Sequence, residues 1–167
     1  MTALPLVIRH EHAGDAQAIK RLHARAFGPG RFARTAYRLR EGTAPVADLC
    51  FTALVATYLV GSVRVGPAQA GGPLLVLGPL TVDPSFEGRG IGAALMTAAL
   101  DAAIAAGHGL VILIGDAPYY RRFGFSAIPP GRLVPPSPVD PARFLWRELV
   151  PGAAGTVSGN VTALRTR

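Results

Sequence analysis

Residues 82–95 read VDPSFEGRGIGAAL, and the nine residues 74–82, LLVLGPLTV, lead into them as an almost unbroken apolar run. An apolar strand, a glycine-dense loop and a helix therefore follow one another directly. Glycine recurs at every second position, Gly88, Gly90 and Gly92. Without Cβ atoms in the way, such a loop can turn successive backbone N–H groups inward, onto the positive end of the dipole of the helix behind it. The junction reads as a cradle for an anion, and a diphosphate suits it.

Three glycine loops of this kind bind diphosphates, and spacing separates them. A phosphate loop of the GxxxxGK[ST] type is absent, and Lys20 is the only lysine of the chain. A dinucleotide fingerprint GxGxxA is met by Gly88, Gly90 and Ala93, with Asp116 closing the next apolar run. That fingerprint, however, places glycine almost directly after the strand. Here Asp83 to Glu87 intervene, and too few regular elements follow to build a second mononucleotide half.

The third loop fits best. EGRGIGA (87–93), after a run ending V-x-P, resembles the [QR]xxGxG[AG] coenzyme A loop of the Gcn5-related N-acetyltransferases, the GNAT superfamily. PYYRRFGF (118–125) is similar to the same family's tyrosine, three residues, Gly-Phe signature, at the usual separation. With LGPLTVDP and LIGDAPYYRRFGF, most of the chain resembles the YhbS-like bacterial subgroup of predicted acetyltransferases. Glu87 departs from the pattern, standing where the family prefers Gln or Arg. A carboxylate facing a diphosphate would repel it, so Glu87 is expected to point to solvent, leaving phosphate binding to backbone N–H groups and Arg89.

Composition bounds the alternatives. A length of 167 residues suits a single compact domain spanning 1–167, with the proline-rich loop 129–141 inside it. The longest apolar helix expected, Gly90 to Ala106, is too short for a bilayer and carries Asp101. No basic leader precedes the short apolar stretch Ala3 to Ile8, so no signal peptide is expected. With one cysteine, Cys50, no internal disulfide can form, and a cytoplasmic setting is expected; the NVT at Asn160 then carries no glycan. No His/Cys cluster has metal spacing, so no metal is expected. The net charge of +7 comes almost entirely from arginine. Arg31, Arg34 and Arg38 share one helical face and suit an acidic acceptor, or simply a solvated surface. Nucleic-acid binding has charge alone behind it, with no recognition helix, aromatic-basic platform or basic tail.

The remaining elements follow from periodicity. Leu6 to Glu11 reads as a strand. Asp15 caps a helix with Ile19, Leu22, Ala26 and Phe27 on one face. A second short helix is expected over Phe32 to Arg40. Leu49 to Ala56 and Tyr58 to Gly66 form an antiparallel hairpin, and Pro67 to Pro73 a loop. The run Leu74 to Val82 carries Gly78-Pro79, which cannot pair on both sides and predicts a bulge or splay. The helix Gly90 to Ala106, a buried strand Leu110 to Gly115 and a short helix Ala117 to Phe123 follow. Six prolines between Pro129 and Pro141 exclude regular structure there. Phe144 to Val150 suits a last long strand, with Thr156 to Leu164 adding a little more.

This order predicts an α/β, or α+β, mixed sheet flanked by helices, and the resemblance implies the acyl-CoA N-acyltransferase fold, splayed between its fourth and fifth strands. The resemblance further implies an enzyme, an acyltransferase that moves an acetyl group from acetyl-CoA to a primary amine in a ternary complex. Pantetheine would pair with backbone near Leu80, Thr81 and Val82, and the diphosphate would rest on Gly88, Arg89, Gly90, Ile91, Gly92 and Ala93. Tyr120, four residues before Gly124, corresponds to the family's general acid for the departing thiolate; packing of the helix is the competing role for it and for Tyr119. Arg121 and Arg122 lie nearer the coenzyme side, where Arg122 can reach a phosphate. No base is visible on Leu74 to Val82; Glu11, Glu41 and Asp48 read as surface or turn residues, His23 as a boundary residue and Cys50 as a small core hydrophobe. The acceptor is a small-molecule or peptide amine, and the apolar content leaves a homodimer open. The competing functions are an acyl-CoA sensor without turnover on the same fold and, further off, a dinucleotide- or nucleic-acid-binding domain.

Overall fold

The computed structural model describes residues 5–27 and 43–164. The expected helix Phe32 to Arg40, with Arg31, Arg34, Arg38 and Glu41, lies outside them. The described elements are β1 (Leu6–His10), α1 (Ala16–Phe27), β2 (Phe51–Val55), β3 (Tyr58–Gln69), β4 (Pro73–Val82), α2 (Ile91–Ala105), β5 (Leu110–Ile114), α3 (Ala117–Arg121), β6 (Ser126–Ala127), β7 (Leu133–Val134), β8 (Phe144–Glu148), β9 (Gly159–Asn160) and β10 (Thr162–Ala163).

Eight strands form a mixed sheet in the order β1-β2-β3-β4-β5-β8-β6, with β10 added against the far half of β3. Every pairing within it is antiparallel except β4 with β5. Strand alternation divides the core into two faces. Val63, Val65, Leu75, Leu77, Val111 and Leu113 turn toward α2, where they meet Leu95, Met96, Ala99 and Ala103. Gly61 lets α2 settle close to the sheet: a Cβ there would stand 2.9 Å from Leu95 Cδ1 and 3.2 Å from Ala53 Cβ. The opposite face is covered at one end by Ile19 and Leu22 of α1 against Leu59. At the other end, Ile128, Leu133, Val157 and Val161 pack on Ala68, Leu74, Val76 and Ile112. Among the described residues, no helix is long and apolar enough to cross a membrane.

Three local expectations are corrected, and one short strand is added. β3 does not stop at Gly66 but runs through Pro67 to Gln69, so the loop shrinks to residues 70–72. The Pro67 carbonyl accepts from Leu164 N at 3.5 Å, on the side away from β4; the N–H that proline lacks would point the same way, so the β3–β4 ladder loses nothing. The proline-rich loop contains the short strand β7, paired in parallel with β9. β6, which no pattern announced, pairs with β8. Asp15 ends the 3-10 turn Ala13–Asp15 rather than capping α1: its carboxylate accepts from the His12 N–H at 2.7 Å and pairs with Arg9 at 2.8 and 3.0 Å.

Candidate active site

β4 and β5 part early. Their parallel register holds only at Leu75 with Val111 and Val76 with Ile112, whereas β4 continues to Val82. Just beyond the last pair, Gly78 and Pro79 bulge out: on the other side of β4 the register passes from Val65–Leu77 to Val63–Leu80, two residues opposite the single Arg64. Gly78 adopts φ +134°, which side-chain-bearing residues rarely do. The expected splay thus begins at Leu77, and its open edge is the β4 segment 77–82.

A cleft of about 1200 Å³ runs through this opening. One end is the glycine loop, held by Asp83 beneath it. Only 4% exposed, Asp83 accepts from Ser85 N at 2.9 Å and pairs with Arg25 of α1 at 3.1 Å. Gly88 and Gly90 take φ +77° and +78°, with open space where a Cβ would be; their need for glycine is conformational. Gly90 is also the N-cap of α2, so the first N–H groups of a four-turn helix face the cleft.

Of the residues singled out from sequence, Leu80, Val82, Gly88, Gly90, Ile91, Gly92, Ala93, Tyr120 and Arg122 line the cleft. Thr81 and Arg89 are not among its walls. Thr81 is 2% exposed and in register with Ser62, its side chain buried in the sheet. The Arg89 guanidinium lies 4.9 Å over the Phe86 ring instead. Glu87 is exposed on the cleft rim.

The other wall is α3, whose short turn opens at Asp116 and carries Pro118 in its first turn. Tyr119 and Tyr120 meet edge to face at 4.9 Å, and Tyr120 packs in the same way on Phe125 at 6.1 Å. Gly115 is the place of closest approach: a Cβ there would run into the Tyr120 ring. Burial, reinforced by Tyr119, pushes the Tyr120 phenol up to about 12, so it stays protonated throughout the neutral range. Arg122 stacks on Tyr119 at 4.6 Å and on Phe123 at 4.9 Å.

Lys20 and His23 of α1, Thr43, Arg64 and Arg143 also line the cleft. Sequence reasoning set His23 aside and did not single out Arg64 or Arg143. Arg64 carried a signal, as a lone charge within the apolar run YLVGSVRVG (58–66). Its guanidinium pairs with Glu11 through Nε at 2.9 Å and Nη2 at 3.1 Å. Asp48 and Cys50 stay outside the cleft, and Arg121 is exposed away from it. Among the described residues no cluster of three His, Cys, Asp or Glu is placed to hold a metal ion.

The sequence model of the Acetyltransferase (GNAT) family matches residues 16–125. The chain is 32% identical over 127 residues to the uncharacterized N-acetyltransferase YhbS of Escherichia coli K12, covering 72% of this chain and 73% of that one. The crystal structure of the Escherichia coli YhbS in complex with CoA superposes with a TM-score of 0.82 at 28% identity, over 98% of this chain and 92% of the other. A GNAT-family acetyltransferase from Brucella melitensis in complex with acetyl-CoA superposes at 0.64, also 28% identical, over 85% and 95%. The splayed mixed sheet, the glycine loop at the head of α2 and these matches together place the chain in the GNAT acetyltransferase family.

Proposed function

We propose that this chain, acting as one catalytic unit, transfers an acetyl group from acetyl-CoA to a primary amine. The observation that carries this reading is the open β4 edge, with an anion cradle at one end and a protonated phenol beside it. The solved relatives bound to CoA and acetyl-CoA support it. The pantetheine amides pair with β4 backbone over Leu80, Thr81 and Val82, and the diphosphate takes the N–H groups from Gly88 to Ala93. Arg122 supplies the cation at the mouth.

The amine nitrogen attacks the thioester carbonyl carbon directly, and a β4 N–H stabilises the oxyanion, a contribution typically worth about 10²- to 10³-fold. Collapse of the tetrahedral intermediate breaks the C–S bond. Tyr120 then donates to the leaving sulfur. Because its phenol lies near 12 and a free thiol near about 8.5, outright transfer is uphill by roughly 5 kcal/mol. The phenol therefore acts chiefly as a hydrogen-bond donor to the developing thiolate, which takes its final proton from water. β4 carries no carboxylate or histidine to take the proton of the amine, and in this reading the proton passes to water in the cleft.

Calorimetric titration with acetyl-CoA, with NAD as control, tests the donor, and a panel of amines tests turnover. Saturable binding of acetyl-CoA alone, followed by acetylation of an amine, is expected. Binding of NAD instead would overturn the reading. Tight acetyl-CoA binding with no turnover on any amine would assign a sensor.

A further inference from the structure

Arg64 lines the cleft from β3, opposite the Gly78-Pro79 bulge, between Val65, paired with Leu77, and Val63, paired with Leu80. Because Val63 and Val65 turn toward α2, Arg64 emerges on the other face of the sheet, the one that α1 covers. There Glu11 takes Nε at 2.9 Å and Nη2 at 3.1 Å, which fixes the plane of the guanidinium. One edge of the fork is thereby used. The other, Nη1 with the outer N–H of Nη2, has no partner among the described residues and is open to a second planar anion.

α1 brings a second cation to that face. Ala16, Lys20, His23 and Phe27 recur at three- and four-residue spacing and all line the cleft, so they form one stripe of the helix. Lys20 is exposed and forms no ion pair with any described residue. The other charges of the cleft are engaged elsewhere. Arg122 lies on Tyr119 and Phe123, Arg143 and Asp116 act on the Tyr120 phenol with opposite sign, and Glu87 is on the rim beside the glycine loop. Lys20 and Arg64 are thus offset by Glu11 alone, and one positive charge is left over. A single carboxylate balances it, a phosphate dianion exceeds it, and an acceptor with a second ammonium adds to it.

We propose that the acceptor is a small amine carrying one carboxylate, as a free amino acid does, and that Arg64 and Lys20 hold that carboxylate beside the open edge of β4. The proposal rests on the acetyl-transfer reading above and narrows its acceptor. Leu80, on the stretch of β4 that meets the donor in that reading, is in register with Val63, the neighbour of Arg64, so a short molecule can reach from the carboxylate seat to the thioester.

The test sets the common amino acids against their own carboxamides and against 1,4-diaminobutane as acceptors, at saturating acetyl-CoA, with release of CoA as the readout. The carboxamide keeps the size and loses the charge. Its amine is the less basic of the two, so without recognition it would be the better acceptor at neutral pH. At least one amino acid is expected to exceed its carboxamide by about tenfold or more in kcat/KM, with the diamine poorer than either. Arg64→Gln and Lys20→Gln are each expected to lower that preference by at least about fivefold, through KM rather than kcat. Arg21→Gln removes the same charge from the exposed residue next to Lys20, off the cleft, and is expected to keep the preference. Where Arg64→Gln strands the Glu11 carboxylate and fails to fold, combining it with Glu11→Gln removes the stranded charge. Carboxamides or the diamine matching the amino acids in the wild type would overturn the inference and leave acetyl transfer standing. Variants that lower both series alike, or Arg21→Gln acting as strongly as Lys20→Gln, would do the same. Acetyl-CoA binding with no amine acetylated would overturn both.

Discussion

The Tyr119 hydroxyl rests against the Cα of Gly92: a Cβ at position 92 would come within 2.7 Å of that oxygen. The third glycine of the loop is thus needed for the tyrosine across the cleft, whereas Gly88 and Gly90 are needed for their own backbone. Gly92→Ala should push Tyr119, and Arg122 stacked on it, out of place and weaken acetyl-CoA binding by at least about tenfold. In a Tyr119→Phe background the obstructing oxygen is gone, so the same substitution should cost markedly less. A double-mutant cycle by calorimetry reads this coupling, and strict additivity would refute it.

Tyr120→Phe should lower kcat by roughly 10- to 10³-fold with little change in acetyl-CoA affinity. Because the phenol is held near 12, the wild-type kcat profile should show no loss from tyrosine ionisation between pH 6 and about 10. Its rise should follow deprotonation of the acceptor amine alone. A descending limb near pH 8 that vanishes in the Phe variant would contradict the burial argument.

The hydrogen bonds from Arg9 hold the Asp15 carboxyl below its usual range, with the His12 N–H assisting. A lowered folded-state pKa contributes stability above the unfolded value of about 3.9, and that stability is lost as pH falls through the folded value. Asp15→Asn should therefore destabilise by about 1–3 kcal/mol at pH 7. Urea melts of both proteins should converge as the pH drops below about 4.

Cys50 is 1% exposed, accepts from the Val65 N–H at 3.4 Å and donates to the Val46 carbonyl at 3.3 Å. Burial pushes its thiol up. A thiol reagent at pH 8 should leave the native protein unmodified over hours and titrate one group on unfolding. Fast labelling of the native state would show that the edge between β2 and β3 opens freely.

The glycine loop and the tyrosine helix that wall the cleft were legible because glycine spacing and the tyrosine signature are local in sequence. The open edge of β4 could be placed within one residue, since Gly78-Pro79 marks its own irregularity. Arg64, Arg143 and His23 were not, because they come to one cleft from β3, the turn before β8 and α1, and no short-range pattern records that meeting. Pro67 misled for a related reason. A missing N–H matters only on the side where a neighbour asks for it, and which side that is depends on β10, almost a hundred positions later in sequence. Arg89 shows the same limit at single-residue scale: the motif marked the backbone path but not which way the side chain turns.

That late partner has a consequence for synthesis on the ribosome. β3 and β4 are translated before much of what covers them: Ala68, Leu74 and Val76 share their cluster with residues as late as Val157 and Val161, and the end of β3 is joined on its side away from β4 by Thr162 and Ala163. The emerging polypeptide therefore carries a partly covered apolar patch and an unfinished strand until residues 157–163 have left the exit tunnel. Completion of this sheet waits on those residues, and the interval before it is when chaperone contact is most useful.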